Sequence, residues 1–90
     1  MNRSELIDRV AADAQLPRSV AARAIDATLA AIEAALREGE EVALAGFGRF
    51  HVGTYTGRAG VNPRTGERIE VATTPVPRFA AGSRLRAAVR

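Results

Sequence analysis

Cysteine, lysine and tryptophan are absent from this chain, and the absence of cysteine narrows the class of protein. Without cysteine there is no disulfide and no thiolate metal site, so a reducing compartment is the simplest location. No stretch approaches the roughly 18 apolar residues of a membrane helix, and the charged opening MNRSELIDRV lacks the apolar run of a signal peptide. All thirteen basic residues are arginine, whose planar fork binds phosphate through two hydrogen bonds, but a coding bias toward arginine is the simpler explanation. We expect a soluble cytoplasmic protein.

Aromatic residues are also scarce, at 4% of the chain. Many of the apolar residues are alanines, so the bulk for a core must come from Phe47, Phe50 and Phe79. A monomeric domain of this length hides only roughly 60 to 65% of the surface that its unfolded chain exposes. We therefore expect one thin-cored domain that is stable as an oligomer, and the sequence leaves open whether it pairs with itself or with a related subunit.

The inventory of reactive side chains disfavours catalysis. The chain has one histidine and no cysteine, and no acid is paired with a nucleophile. His51 alternates with Phe50 and Val52, which predicts a surface position on a strand. The acidic run Glu38, Glu40 and Glu41 lacks a fourth ligand and is more simply a solvated helix end. The prediction is no enzyme, no metal, no cofactor and no small-molecule substrate.

Charge is divided unevenly along the chain. Residues 1–45 hold five arginines against eight carboxylates, a balance of −3, whereas residues 46–90 hold eight arginines against two, a balance of +6. Such asymmetry is typical of a protein with a polyanionic partner, most often nucleic acid. On charge alone a merely solvated face explains the pattern equally well.

The first half predicts two helices. Asn2 followed three residues later by Glu5 resembles a capping box, with Ser4 as the alternative cap. Pro17 suits the first turn of the second helix, and Gly39 suits its C-terminal cap. Apolar residues recur every three or four positions: Leu6, Val10 and Ala14, then Ile25, Leu29, Ile32 and Leu36.

The second half predicts strands at 42–44, from 50 onwards and at 68–71, with a turn at 46–48 and a short basic helix from about Ser83. The segment GVNPRTG at 60–66 has the composition of a hairpin apex, where Pro63 interrupts no ladder and Gly66 takes a positive φ. The ribbon around this apex is poor in apolar residues and needs a surface to cover it. One interpretation makes Pro63 a wedge between base pairs and Arg64 an anchor. The other is a plain turn, which these seven residues alone favour.

Taken in order, several motifs resemble the HU and integration host factor group of bacterial DNA-bending proteins. They are MNRSELID at the start, GFGRF at 46–50, NPRTGE at 62–67, VPRF at 76–79 and the final basic helix. The resemblance spans essentially all 90 residues. It implies an α+β fold: an intertwined dimer with two N-terminal helices, a three-stranded antiparallel sheet with an extended β-hairpin arm, and a short C-terminal helix.

The same resemblance implies the domain plan and the partner. Residues 1–45 would form a helical dimerisation base and first strand, 46–81 a saddle sheet with an arm at about 53–75, and 82–90 the last helix. The partner would be double-stranded DNA, bound in the minor groove with low sequence specificity and a preference for bent, nicked or flexible sites. The protein would be nucleoid-associated and most simply a homodimer, with a heterodimer left open. The implied DNA-binding residues are Arg3, Gly46, Gly48, Arg58, Val61, Asn62, Pro63, Arg64, Thr65, Arg68, Arg78, Ser83 and Arg86.

This chain departs from the usual pattern of that group on the arm. Gly53, Tyr55 and Val61 stand where cations are usual, and Ala80 and Ser83 stand where lysines are common. Each phosphate that is left unbound lowers the salt slope of DNA binding by about 0.9. We therefore expect weaker and less salt-sensitive binding than in typical relatives. Two alternatives stay open: an interaction protein with decayed DNA affinity, and a site-selective bender similar to integration host factor.

Overall fold

A computed structural model describes residues 1–56, 60–61, 64–66, 68–69 and 73–90. Within these ranges the chain runs from two helices through antiparallel strands to a short third helix. This confirms the predicted element order and the three-stranded sheet. The elements are α1 (Arg3–Ala14), α2 (Arg18–Arg37), β1 (Val42–Leu44), β2 (Gly48–Thr56), β3 (Gly60–Val61), β4 (Arg68–Ile69), β5 (Thr73–Ala81) and α3 (Ser83–Ala88).

Short polar contacts define the helix starts. The Asn2 side chain accepts a hydrogen bond of 2.9 Å from the Glu5 N–H, so Asn2 is the cap of α1. Ser4 has another role, because its hydroxyl accepts a 2.8 Å bond from Arg18 Nη2 and ties α1 to α2. Pro17 lies one residue before the first helical residue of α2, where its missing N–H costs nothing.

The end of α2 confirms the role predicted for Gly39. Its φ of 79° is left-handed, its N–H donates to the Leu36 carbonyl at 3.0 Å, and the Glu40 N–H donates to the Ala35 carbonyl at 2.9 Å. These two bonds are a Schellman motif, which glycine favours because it has no Cβ. The turn that follows redirects the chain into β1.

The three-stranded sheet has the order β1-β2-β5 and is antiparallel throughout. β2 and β5 pair over nine residues each, from Gly48 opposite Ala81 to Thr56 opposite Thr73. Pro75 and Pro77 argue against a strand when read in the sequence. They are tolerated here because β5 is an edge strand, so a proline nitrogen facing away from β2 removes no ladder bond.

Beyond this sheet, β3 and β4 pair with each other, with Gly60 opposite Ile69 and Val61 opposite Arg68. A turn at 64–66 follows the predicted chemistry, because Gly66 has a φ of 71°. The molecule measures 65 × 30 × 25 Å and its radius of gyration is 19.5 Å. A compact domain of this length would have a radius of gyration of about 12 Å. The chain is therefore markedly elongated.

The core of the single chain is small. In the described part, Ile7 and Ala21 are the only buried hydrophobic residues. The three phenylalanines do meet: the Phe79 ring lies 4.8 Å from that of Phe50 and 5.7 Å from that of Phe47, centre to centre. Yet Phe47 is 48% exposed and Phe79 is 42% exposed. The predicted aromatic bulk is assembled, but one chain does not enclose it.

Candidate nucleic-acid interface

The alternation of β2 and β5 gives the three-stranded sheet two unlike faces. One carries Phe50, Val52, Phe79 and Pro77 in directly opposed pairs. A groove of about 400 Å³, lined in part by Leu36, Val52 and Pro77, lies between α2 and this apolar face. The other face therefore points away from α2. We call it the polar face; its members are Arg49, His51, Gly53 and Tyr55 on β2 and Thr74, Val76, Arg78 and Ala80 on β5.

Five ion pairs join an arginine to a carboxylate where both residues are described. Arg49, on the polar face, has its Nε 3.2 Å from Glu41 Oε1. Glu41, which belongs to the acidic run at 38–41, is therefore part of an ion pair. In the described residues no group of three or more His, Asp or Glu side chains is arranged to hold a metal ion. The remaining ion pairs are Arg3–Asp26, Arg9–Asp13, Arg18–Asp8 and Arg37–Glu33, all in the helices.

The described C-terminal part of the chain, residues 73–90, holds four arginines without such partners. Within 73–90, no carboxylate lies at ion-pair distance from Arg78, Arg84, Arg86 or Arg90. Their charge is thus available to an external anion. An arginine fork binds phosphate through two parallel hydrogen bonds, which makes this part of the surface suited to a phosphate backbone.

Arg3 differs from these arginines, although it is also a predicted phosphate contact. Its Nε lies 3.0 Å from Asp26 Oδ1 and its Nη2 lies 2.6 Å from Asp26 Oδ2. The hydrogen bond and the charge of Asp26 raise the pKa of Arg3 above its ordinary value. Because both side chains are more than half exposed, solvent screens the pair. Arg3 is therefore accessible to DNA but locally neutralised.

The structure brings the predicted turn at 46–48 against the start of α3. The Gly82 N–H donates to the Phe47 carbonyl at 2.8 Å, and the Leu85 N–H donates to the Gly46 carbonyl at 3.2 Å. Two predicted phosphate-contacting segments, one with Gly46 and Gly48 and one with Ser83 and Arg86, therefore adjoin. They form a continuous surface at one end of the sheet.

Glycine is required at both predicted turn positions. Gly46 has a φ of 80°, and a Cβ there would lie 2.7 Å from Arg84 Cδ. A Cβ at Gly48 would lie 2.6 Å from Phe79 Cε1 and 2.8 Å from the Ala80 carbonyl oxygen. Arg84 packs on this turn but is missing from the predicted site residues. The only sequence signal for Arg84 was the basic composition of the last helix.

Arg78 extends across the strand pair. It is directly opposite His51, and its side chain covers Gly53, where a Cβ would contact its Nε and would lie 2.6 Å from its Cδ. Tyr55 lies farther along the same face and is 62% exposed. Arg78 and Tyr55 thus present a cation and an aromatic ring near the base of the ribbon.

The predicted arm residues are only partly accounted for. Arg64 and Thr65 are exposed in the turn at 64–66, and Val61 and Arg68 are paired positions of β3 and β4. Three predicted residues, Arg58, Asn62 and Pro63, lie outside the described residues. Their roles therefore stay predictions.

A long two-stranded ribbon, a cationic sheet face and a basic helix define a class of protein that binds an extended polyanion. The family comparison specifies that class: the sequence matches the model of the family described as "Bacterial DNA-binding protein" over residues 1–90. The chain belongs to this family. In the described residues no helix combines the length and apolarity needed to cross a membrane.

Individual relatives and structures agree with that assignment. The chain is 47% identical to DNA-binding protein HU-beta of Escherichia coli strain K12 over 89 residues, which is 99% of each chain. It is 46% identical to DNA-binding protein HU-alpha of Vibrio cholerae over 90 residues, the full length of both. A cocrystal structure of Anabaena HU with DNA superposes with a TM-score of 0.82 at 39% identity, covering 99% of this chain and 97% of the other. The HU structure from Thermotoga maritima superposes with a TM-score of 0.73 at 32% identity, with full coverage of both chains.

Proposed function

We propose that this protein is a histone-like nucleoid protein that binds double-stranded DNA and bends it. The observation that carries the proposal is the full-length similarity to an HU chain that was crystallised with DNA. The unpaired arginines of the C-terminal part support it, because a phosphate backbone is the extended anion that such a surface fits.

In the proposed binding mode the arm and the rest of the protein, which we call the body, contact different parts of the DNA. Arg3, Gly46, Gly48, Ser83 and Arg86 hold flanking phosphates on the body. The arm, at about 53–75, enters the minor groove, where Pro63 wedges between base pairs. Readout there is degenerate, so specificity is low and bent, nicked or flexible sites are preferred. The arm contacts beside Pro63 are Arg58, Val61, Asn62, Arg64, Thr65 and Arg68, with Arg78 at its base.

The functional unit in this proposal is a homodimer. Its support is the apolar surface that a single chain leaves open, including Leu29, which is 53% exposed, and Phe47. A second copy of the base at 1–45 and of the saddle at 46–81 would cover that surface. Mixing the protein with a related subunit, and measuring whether the two chains associate, distinguishes a homodimer from a heterodimer. The role is structural, without catalysis or cofactor, and it is exercised on the chromosome in the cytoplasm.

The decisive experiment compares intact and nicked duplex DNA across a range of salt concentrations, with bending followed by fluorescence energy transfer between the DNA ends. Pro63→Ala should keep the dimer and much of the affinity but reduce the bend. The matched control is Pro75→Ala, which removes a proline from β5, the edge strand of the sheet, and should leave the bend unchanged.

Two outcomes count against parts of the proposal. Failure to bind intact, nicked and cruciform DNA at micromolar protein would favour an interaction protein with decayed DNA affinity. Unchanged bending by Pro63→Ala would remove the wedge. Strong preference for one duplex in a random pool would instead indicate a site-selective bender.

A further inference from the structure

Gly53 occupies an interior position of β2, where glycine is unusual. A glycine inside a strand costs about 0.5–1 kcal/mol relative to alanine because it loses more backbone freedom on folding. Some local demand normally explains such a residue, either an unusual φ or the close approach of another group. The position is opposite Val76 and is flanked along β2 by Val52 and Thr54.

The backbone makes no such demand. Among the described glycines, positive φ angles occur at Gly39, Gly46 and Gly66, and Gly53 is not one of them. Any L-residue can adopt the Gly53 backbone conformation. The structure offers a spatial reason for glycine at 53 instead.

The space over Gly53 is filled by the Arg78 side chain. A Cβ at 53 would contact Arg78 Nε and would lie 2.6 Å from its Cδ and 3.3 Å from its Cγ. Arg78 is diagonal to Gly53 across the β2–β5 ladder, two residues from Val76, the direct partner of Gly53. A side chain at 53 would force the arginine into another position.

Arg78 is also electrostatically distinct on the polar face. Arg49 shares that face but has Glu41 at 3.2 Å, whereas no carboxylate of the described residues pairs with Arg78. On this face His51 is directly opposite Arg78, and Arg49 and the covered Gly53 are its two diagonal neighbours. The guanidinium is thus an unneutralised cation held at the base of the ribbon, on the side away from α2.

We propose that Gly53 is a positioning residue that lets the guanidinium of Arg78 lie across β2 and act there as a phosphate anchor. The anchor is built from two strands: β5 supplies the charge and β2 supplies the space. The inference rests on the DNA binding proposed above. It predicts that a charge-neutral change at 53 alters an electrostatic property of DNA binding.

The test is a double-mutant cycle on the full-length protein with a short intact duplex, in which log K is measured against log salt. Arg78→Gln should lower the salt slope by about 0.9 for each phosphate that is no longer neutralised, and therefore by ~1.8 in a dimer. Gly53→Ala keeps every charge but should weaken binding several-fold and lower the slope in the same direction. In the Arg78→Gln background, Gly53→Ala should have no further effect on the slope.

Thr54→Ala is the matched control, because Thr54 adjoins Gly53 on β2 but belongs to the opposite face. It should leave both affinity and slope unchanged. Thermal unfolding of each variant checks the fold, and Gly53→Ala should not lower the melting temperature because its backbone suits alanine.

The outcomes separate this inference from the proposed function. If the wild-type protein fails to bind duplex DNA, both are rejected. If the wild type binds and Gly53→Ala matches it in affinity and slope, only the inference is rejected. An equal decrease in affinity from Gly53→Ala with and without Arg78 would assign the effect to ribbon shape and also overturn it. A decrease that occurs only when Arg78 is present supports it.

Discussion

The helical half and the sheet half of this chain hold their arginines in different electrostatic states. In α1 and α2, four of the five arginines pair with carboxylates, all of which lie in one or the other of these two helices; they are Arg3, Arg9, Arg18 and Arg37. In the described C-terminal segment 73–90, none of the four arginines does. A net charge of +3 therefore understates the field of the sheet half, because the negative charges are concentrated elsewhere.

The two halves also differ in what would complete them. The helices contain the buried Ile7 and Ala21 but leave Leu29 uncovered, and the sheet adds an aromatic cluster that is still half-exposed. Exposed apolar surface of this kind is suited to burial against another protein chain. The polar face and the ribbon are suited instead to binding an anion. The difference supports the two partners proposed above, a second subunit for the apolar surface and DNA for the polar face.

Disrupting the exposed apolar surface of the helical half should produce the largest effect, a weaker dimer. Leu29→Gln removes an exposed leucine from the α2 stripe, the apolar series Ile25, Leu29, Ile32 and Leu36. We expect a loss of about 2 kcal/mol per protomer, counted twice in the dimer. That corresponds to a dimer dissociation constant roughly a thousandfold higher. Sedimentation at several protein concentrations measures it.

The control for Leu29→Gln is Ala30→Gln. Position 30 is exposed and, at helical spacing, shares its side of α2 with Asp26, Glu33 and Arg37. This variant should remain dimeric. Equal dissociation constants for the two variants would show that the α2 stripe is not the subunit contact.

The second effect concerns two glycines of one strand. Gly48→Ala places a Cβ against the Phe79 ring and the Ala80 carbonyl, which cannot move aside cheaply, so we expect about 1–3 kcal/mol of lost stability. Gly53→Ala meets only the flexible Arg78 side chain and should stay within about 0.5 kcal/mol of wild type. Urea unfolding at fixed protein concentration compares them, and similar decreases in stability would contradict the distinction.

The third effect tests the predicted shortage of arm cations. Tyr55→Arg adds a cation to the polar face and should steepen the salt slope of DNA binding by about 0.9 for each phosphate it binds. Gly53→Arg should add less, because the new side chain displaces Arg78. Thr54→Arg, on the opposite face, is the control for added charge alone. Identical slopes for all three variants would mean that only net charge matters.

The smallest effect is expected from releasing a paired arginine of the helical half. Asp26→Asn frees Arg3, whereas Asp13→Asn frees Arg9 and raises the net charge by the same amount. If Arg3 contacts a phosphate, Asp26→Asn alone should tighten DNA binding modestly. Stability should change little in both, because the pairs are exposed. Equal affinities of the two variants would exclude Arg3 from the interface.

Much of the fold was predictable because its signals are local. Helix periodicity, the Asn2 cap and the left-handed glycines at 39 and 66 depend only on near neighbours in the chain. The ordered motifs also predicted the family, which the comparisons confirm. The strand through Pro75 and Pro77 is harder to read, since its tolerance of proline depends on lying at a sheet edge.

The candidate site was less predictable than the fold. Its residues were inferred from resemblance and from positive charge, and Arg84 was missed because nothing local separates it from other basic residues of α3. The sequence also does not show whether an arginine is paired with a carboxylate, because the partner of Arg3 is 23 residues away in the chain. Composition counts an arginine in the same way whether or not a carboxylate neutralises it.

The order of amino acids was enough to establish the helices, the turns, the uneven charge and the family, since each arises from neighbouring residues or from motifs in a fixed order. Folding in three dimensions settled which arginines are neutralised, which face of the sheet is polar, and that Arg78 lies over Gly53. These properties arise from contacts between residues far apart in the chain. No local pattern encodes those contacts.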